Sequence, residues 1–231
     1  MCDADQSGRL EGDRAMRIRA AIVALAMGLA ATAAQAHPHV FVEARAEVVF
    51  DGDGRVKAVR HVWRFDEAFT AFAIQGLDAN GDGELTREEL QPLAQINVES
   101  LAEFDFFTFL YQGGAEVAFA EPVEYWLDFY GGRLTLFYTL PLKDAVIADA
   151  SKLTLDVFDP SYFVAFEMAK EQPFALVDAP QTCKLDFTPP PELDPQTATT
   201  LAQIPATERQ LSSDLLEVTE TLSNSATIGC S

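Results

Sequence analysis

Twelve consecutive residues, Asp78 to Glu89 (Asp-Ala-Asn-Gly-Asp-Gly-Glu-Leu-Thr-Arg-Glu-Glu), constrain this chain more than any other stretch. Short oxygen-bearing side chains recur at the first, third and fifth positions: Asp78, Asn80 and Asp82. Glu84, seventh, offers its backbone carbonyl, and Thr86, ninth, reaches an ion through a water. Glu89, twelfth, closes the set with two oxygens at once. Calcium is a hard cation that takes about six to eight oxygen ligands, and this is the spacing at which an EF-hand loop delivers them. Gly83 at the sixth position allows the sharp bend that a Cβ resists. Asn-Gly-Asp-Gly alone would read as a polar turn. A turn explains neither the apolar Leu85 at the eighth position nor Glu89, which pairs with Thr86 as a capping box for a following helix.

The loop therefore predicts an entering and an exiting helix. It has no complete second loop to pair with. Asp3-Ala4-Asp5-Gln6-Ser7-Gly8 opens like one, but Arg14 occupies its twelfth position. A single loop in a calcium-rich compartment needs a dissociation constant only of order 10⁻⁴ to 10⁻³ M, which fits a staple better than a switch.

That compartment is read from the beginning of the chain. Arg17 and Arg19, the apolar run Ala20 to Ala34, and Ala34-Gln35-Ala36 describe a basic, apolar and small-residue succession. It is the pattern of a secretory signal peptide over residues 1–36, with Met16 as the true start and cleavage after Ala36. The run is too short and too alanine-rich for a membrane span. The expected location is the periplasm, with no membrane insertion after cleavage. Residues 1–36 carry four acids and four bases, so the remaining 32 acids and 12 bases keep the net charge at −20. A surface this acidic repels nucleic acid phosphates and anionic lipid heads. Cys183 and Cys230 are expected to form one disulfide, worth about 4 kcal/mol on a chain-entropy account.

Hydropathy patterning places a β-hairpin over Val40–Phe50 and Arg55–Phe65, turning at Asp51-Gly52-Asp53-Gly54. Asp66 reads as an N-cap, followed by Phe69 and Phe72 on one helical face. A longer helix is expected from Arg87 to about Leu110. Six strand runs follow: 116–119, 125–130, 133–140, 152–158, 162–168 and 174–177. A short one at 183–187 completes the set. Pro189-Pro190-Pro191 opens a linker over 188–206. Thr207 and Gln210 cap an amphipathic helix carrying Leu211, Leu215, Val218 and Leu222, and a strand tail ends residues 207–231. The expected fold is α+β: a mainly antiparallel β-sheet with an inserted helix–EF-hand-like loop–helix unit over a domain of residues 37–187, and a C-terminal amphipathic helix.

Cleavage would expose the α-amine of His37 beside its own imidazole, a chelate suited to zinc, nickel or copper. Pro38 has no amide hydrogen to lose, which blocks the square-planar mode that uses the second amide nitrogen. If the hairpin turn is centred between Gly52 and Asp53, His39 lies opposite Asp66 and His61 opposite Ala44. His61 is then roughly 17 Å from His39 at strand rise, so Asp66 is the better third ligand. The alternative is a frayed His37 and an ordinary strand residue at His39.

Four segments in this order carry a resemblance: Ala36-His37-Pro38-His39-Val40-Phe41-Val42, Trp63-Arg64-Phe65-Asp66-Glu67, Gly76 to Gly83, and Phe158-Asp159-Pro160-Ser161-Tyr162-Phe163. Over about residues 36–185, plus the terminal cysteine segment, the chain resembles an uncharacterised bacterial exported family. Its members are often labelled the periplasmic component of a predicted ABC-type transport system. The resemblance implies a periplasmic accessory of a membrane transporter for divalent metals, and no defined reaction.

Enzymatic readings find little support. There is no Gly-x-Ser-x-Gly elbow, phosphate-cradling glycine loop or His-Glu-x-x-His. Asp156 and Asp159 stand at the spacing of paired carboxylates, but Asp159-Pro160 reads first as a turn. Copper-dependent oxidation at His37 is the one enzymatic idea with a chemical basis. The two remaining classes are a calcium-stabilised accessory that handles a transition metal and a calcium-stabilised structural module that does not.

Overall fold

Alternation of apolar and polar residues along Val40–Phe50 (β1) and Val56–Phe65 (β2) buries Val42, Ala44, Ala46, Val48, Val59, Trp63 and Phe65 on one side of a hairpin. Successive strand side chains point to opposite faces, so such a pattern fixes which face meets the core. The computed structural model describes residues 38–149, 152–205, 208 and 211–231. The expected signal segment, Met16, His37, Thr207 and Gln210 lie outside them.

The hairpin exists, but its register differs from the symmetric reading. His61 pairs with Ala46 rather than Ala44: the turn is centred on Asp53, where the Asp51 N–H donates to the Arg55 carbonyl, and the ladder shifts by one more residue between Val49 and Phe50. A bulge adds a residue to one strand and displaces every pair beyond it. Asp66 consequently faces Phe41, whose carbonyl accepts its backbone N–H at 2.9 Å.

Helix α1 (Glu67–Ala73) enters the twelve-residue loop and α2 (Arg87–Leu101) leaves it. The second helix stops nine residues before the expected Leu110. A 3₁₀ turn, Ala102–Phe107, intervenes, and Thr108–Gln112 is strand β3. Asp105, Phe106 and Phe107 hold φ of 50°, 54° and 50°. That left-handed conformation is unfavourable for bulky residues and ends the helix. Thr-Phe-Leu-Tyr is β-branched and aromatic, and its neighbours decide its state by pairing with it.

The remaining strands are β4 (Ala115–Glu116), β5 (Val123–Tyr130), β6 (Arg133–Val146), β7 (Leu153–Val157), β8 (Val164–Met168), β9 (Phe174–Val177), β10 (Cys183–Thr188) and β11 (Asn224–Cys230). They form two mostly antiparallel sheets where one was expected. The first runs β5-β6-β2-β1-β8, with β9 also on β1, and the second runs β10-β11-β7-β3-β4. Among the described residues only the pairings of β1 with β8 and with β9 are parallel. Leu134, Leu136, Tyr138 and Leu140 of β6 are buried in the same core as Leu153, Leu155 and Val157 of β7. The fold is α+β.

Residues 188–206, expected as a linker, contain helix α3 (Pro195–Ala202). Its start is written in the sequence: Asp194 accepts from the N–H groups of Gln196 and Thr197, and proline occupies the first helical position. Helix α4 (Ser213–Glu220) precedes β11. Thr219 donates its hydroxyl to the Pro160 carbonyl at 2.7 Å, and the Cys183–Cys230 disulfide bridges directly paired residues of β10 and β11. The tail is thus woven into the second sheet. Among the described residues no helix is long and apolar enough to cross a membrane.

Candidate calcium-binding loop

Asp78 organises the loop from its first position. Its two carboxylate oxygens accept the N–H groups of Gly81 and Gly83 at 2.7 and 3.0 Å. Asn80 Oδ1 accepts from the Asp82 N–H, and Asp82 Oδ1 from the Glu84 N–H, both at 2.8 Å. Each short side chain thus turns inward over the amides that follow it, an Asx turn repeated along the loop. Gly83 has a φ of +82° and nothing near the position of an added Cβ. Its requirement is conformational rather than steric.

Glu89 closes the loop from the far side. Its Oε1 accepts the Ala79 N–H at 3.1 Å, while Oε2 accepts the Thr86 N–H at 3.0 Å and hydroxyl at 2.9 Å. Thr86 Oγ1 in turn accepts the Glu89 N–H at 3.3 Å, completing the expected capping box. These bonds, the Thr86 backbone bond foremost, hold the Glu89 carboxyl below its usual value. Leu85 and Leu77 pack against the apolar core and anchor both ends of the loop.

The donor set is all oxygen and suits a hard cation better than a thiolate- or imidazole-seeking one. Among the described residues no three His, Cys, Asp or Glu side chains gather as a metal centre by themselves. A full shell at this loop would also draw on Asn80 and the Glu84 carbonyl. Arg87, unmarked in the sequence, ties the loop to the sheet: its guanidinium meets Asp128 of β5 in two bonds of 2.6 and 2.9 Å and lies 5.2 Å from the Trp126 ring centroid. The Asp128 hydrogen bond raises the Arg87 pKa. No local signal at Arg87 names a partner forty-one residues away.

The histidine reading meets a different geometry. Asp66 Oδ1 caps α1 through the Phe69 N–H, and Oδ2 accepts the Phe41 N–H, each at 2.8 Å. Both oxygens therefore already hold backbone. The His39 N–H donates to the Phe163 carbonyl at 2.8 Å, and the two rings lie 4.8 Å apart. His37 lies outside the described residues. His61 is buried between the sheets, where Nε2 meets Thr108 Oγ1 at 3.2 Å and the ring stacks on Tyr138. Burial lowers its pKa to about 3. Asp159 is a turn residue, as expected: it accepts the Ser161 N–H and hydroxyl and the Val164 N–H.

Residues 22–230 match the family described as "Protein of unknown function (DUF1007)". A protein of Haemophilus influenzae described as "Uncharacterized protein" is 21% identical over 138 residues, or 59% of this chain. The match spans 65% of that protein, slightly under two thirds of its length.

Proposed function

The chain belongs to the DUF1007 family, and from that premise we propose that it is an exported protein whose loop 78–89 binds one calcium ion as a structural clamp. Asp78, Asn80, Asp82, the Glu84 carbonyl and Glu89 would hold the ion. The observation that carries the reading is the reach of Glu89 across the loop to the Ala79 N–H. That bond places the twelfth-position carboxylate over the residue next to Asp78, where a closing bidentate ligand is required. The ion would neutralise acids that otherwise repel one another and fix the angle between α1 and α2. The disulfide agrees with an oxidising compartment. The resemblance to the exported family extends the reading to an accessory of a divalent-metal transporter; among the described residues no side-chain set speaks for zinc, nickel or copper.

Calorimetric titration of the chelator-stripped protein with calcium tests the clamp. Saturable one-to-one binding in the range of about 10⁻⁴ to 10⁻³ M, with a raised melting temperature, is the expected result. A melt indifferent to calcium, with no saturable heat, would overturn it.

A further inference from the structure

An asparagine side-chain amide is attacked most readily by the following peptide nitrogen when that residue is glycine, which has no Cβ to shield it. The chain's asparagines are Asn80, Asn97 and Asn224, and only Asn80 precedes a glycine. The structure separates them further. Asn97 lies within α2, where its side-chain amide donates to the Leu93 carbonyl at 2.8 Å and the next residue is the buried, branched Val98. Asn224 is 2% exposed at the start of β11 and donates to the carbonyls of Val157 and Phe166. Asn80 and Gly81 are both exposed, and nothing lies near the position of an added Cβ on Gly81.

Within loop 78–89 both reacting groups are held. The Gly81 N–H donates to Asp78 Oδ1 at 2.7 Å. Asp82 clasps the Asn80 carboxamide: Oδ1 accepts the Asp82 N–H at 2.8 Å, and Nδ2 donates to Asp82 Oδ2 at 2.9 Å. Attack requires the Gly81 nitrogen to give up its proton and the carboxamide carbon to turn toward it. The Asp78 carboxylate opposes the first and the Asp82 clasp opposes the second, and hydrogen bonds to carboxylates are the strong ones. Reaction therefore runs from a locally opened loop, at a rate set by how often the loop opens. We propose that Asn80 is a deamidation site whose rate Asp78 and Asp82 govern. The Gly81 nitrogen bonds to Asn80 Cγ, the Cγ–Nδ2 bond breaks, and Nδ2 leaves as ammonia with the proton that Gly81 lost. Water then opens the cyclic imide at either carbonyl, giving aspartate at this position or isoaspartate, whose main chain runs through the side-chain carbon. The chemistry does not depend on the calcium reading; only its consequence for the ion does. Aspartate is a regular third-position ligand and adds negative charge. Isoaspartate lengthens the backbone between the first and fifth positions and breaks the alternation of ligands.

The test incubates the exported protein and its Asp78→Ala and Asp82→Ala variants with chelator in mildly alkaline buffer made with heavy-oxygen water. Each is then reduced and digested with trypsin in ordinary water. Cleavage after Arg64 and Arg87 releases Asn80 on a peptide free of Asn97 and Asn224. Mass and fragmentation read the exchange of amide for labelled acid and place it in the chain. In the wild type the exchange should appear at Asn80 before the other asparagines, as separable aspartate and isoaspartate forms. Asp78→Ala should speed it about tenfold, the worth of one charge-assisted hydrogen bond. Asp82→Ala should speed it as well. Asn97 and Asn224 should keep their wild-type rates in both variants, which separates release of the loop from unfolding. Faster exchange at Asn97 or Asn224 than at Asn80, or variants no faster than the wild type at Asn80, would overturn the proposal. Excess calcium should slow the wild type. Indifference to calcium, with the effect of Asp78→Ala intact, would count against the calcium clamp and leave the deamidation site standing.

Discussion

Arg87 and Asp128 join loop 78–89 to the edge of the first sheet through two hydrogen bonds of 2.6 and 2.9 Å. Arg87 opens α2 and is also the tenth residue of the loop, so one side chain serves the helix, the loop and β5. The pair is substantially solvent-exposed, with side-chain accessibilities of 60% and 34%. Exposed ion pairs contribute about 0.2–1 kcal/mol, and bidentate geometry favours the upper end. Arg87→Ala should lower the urea midpoint slightly, through the lost fork and the lost contact with Trp126. Arg87→Lys should recover little of it, because an ammonium cannot form the fork. Urea denaturation in a double-mutant cycle with Asp128→Ala measures the coupling, and additive losses would refute it.

Glu89→Gln separates the cap from the clamp. Glutamine serves in a capping box nearly as well as glutamate, so the calcium-free variant should melt close to the wild type. It lacks the bidentate carboxylate, so its melting temperature should no longer rise with calcium. The wild type should also show an acid dependence that the variant lacks. Because folding lowers the Glu89 pKa, its contribution is present above the usual carboxylate value and disappears as pH falls through the folded one. Thermal melts with and without calcium check both statements.

His61 should make stability depend on pH in a window of its own. It is neutral when folded, with a pKa of about 3 against 6.5 unfolded. Between those values the unfolded chain binds the extra proton, so stability rises with pH there and is flat outside it. From about pH 7 to 4.5 the wild type should lose about 2–3 kcal/mol relative to His61→Phe. Urea denaturation of both proteins at the two pH values gives the difference. Parallel profiles would show that His61 does not titrate in this way.

Reducing Cys183–Cys230 should unfold the end of the second sheet first. The bridge spans a sequence separation of 47, and the chain-entropy account assigns a loop of that length about 4 kcal/mol. For a domain of this size that corresponds to a fall in melting temperature of about 10 °C. A Cys183→Ala/Cys230→Ala variant melted beside the wild type measures it, and coincident melts would refute it.

Much of this architecture was legible because its causes are local. The twelve-residue loop, its capping box and the N-cap at Asp66 depend on residues three to eleven apart, and the backbone between them has few alternatives. Strands such as Phe174–Val177 carry their own boundaries in flanking turn residues. Asp194-Pro195 announced α3 by the same logic, yet the polar composition around it obscured the cap. The end of α2 was not legible. Phe104 to Leu110 satisfies a helical pattern as well as a strand pattern, and pairing with β7 settles it.

The sequence by itself determined the oxygen-ligand loop, the α+β character and the cysteine pair available for bridging, since each follows from residue type and short spacing. Tertiary structure decided the rest. A turn centred on Asp53 and a one-residue bulge at Val49–Phe50 together moved His61 and Asp66 two places along their partner strand. The second sheet buried His61 and set Thr108 against its ring. Asp128 was brought from β5 to Arg87. All are contacts between residues far apart in the chain, and their register is set by packing one face against another rather than by any local preference.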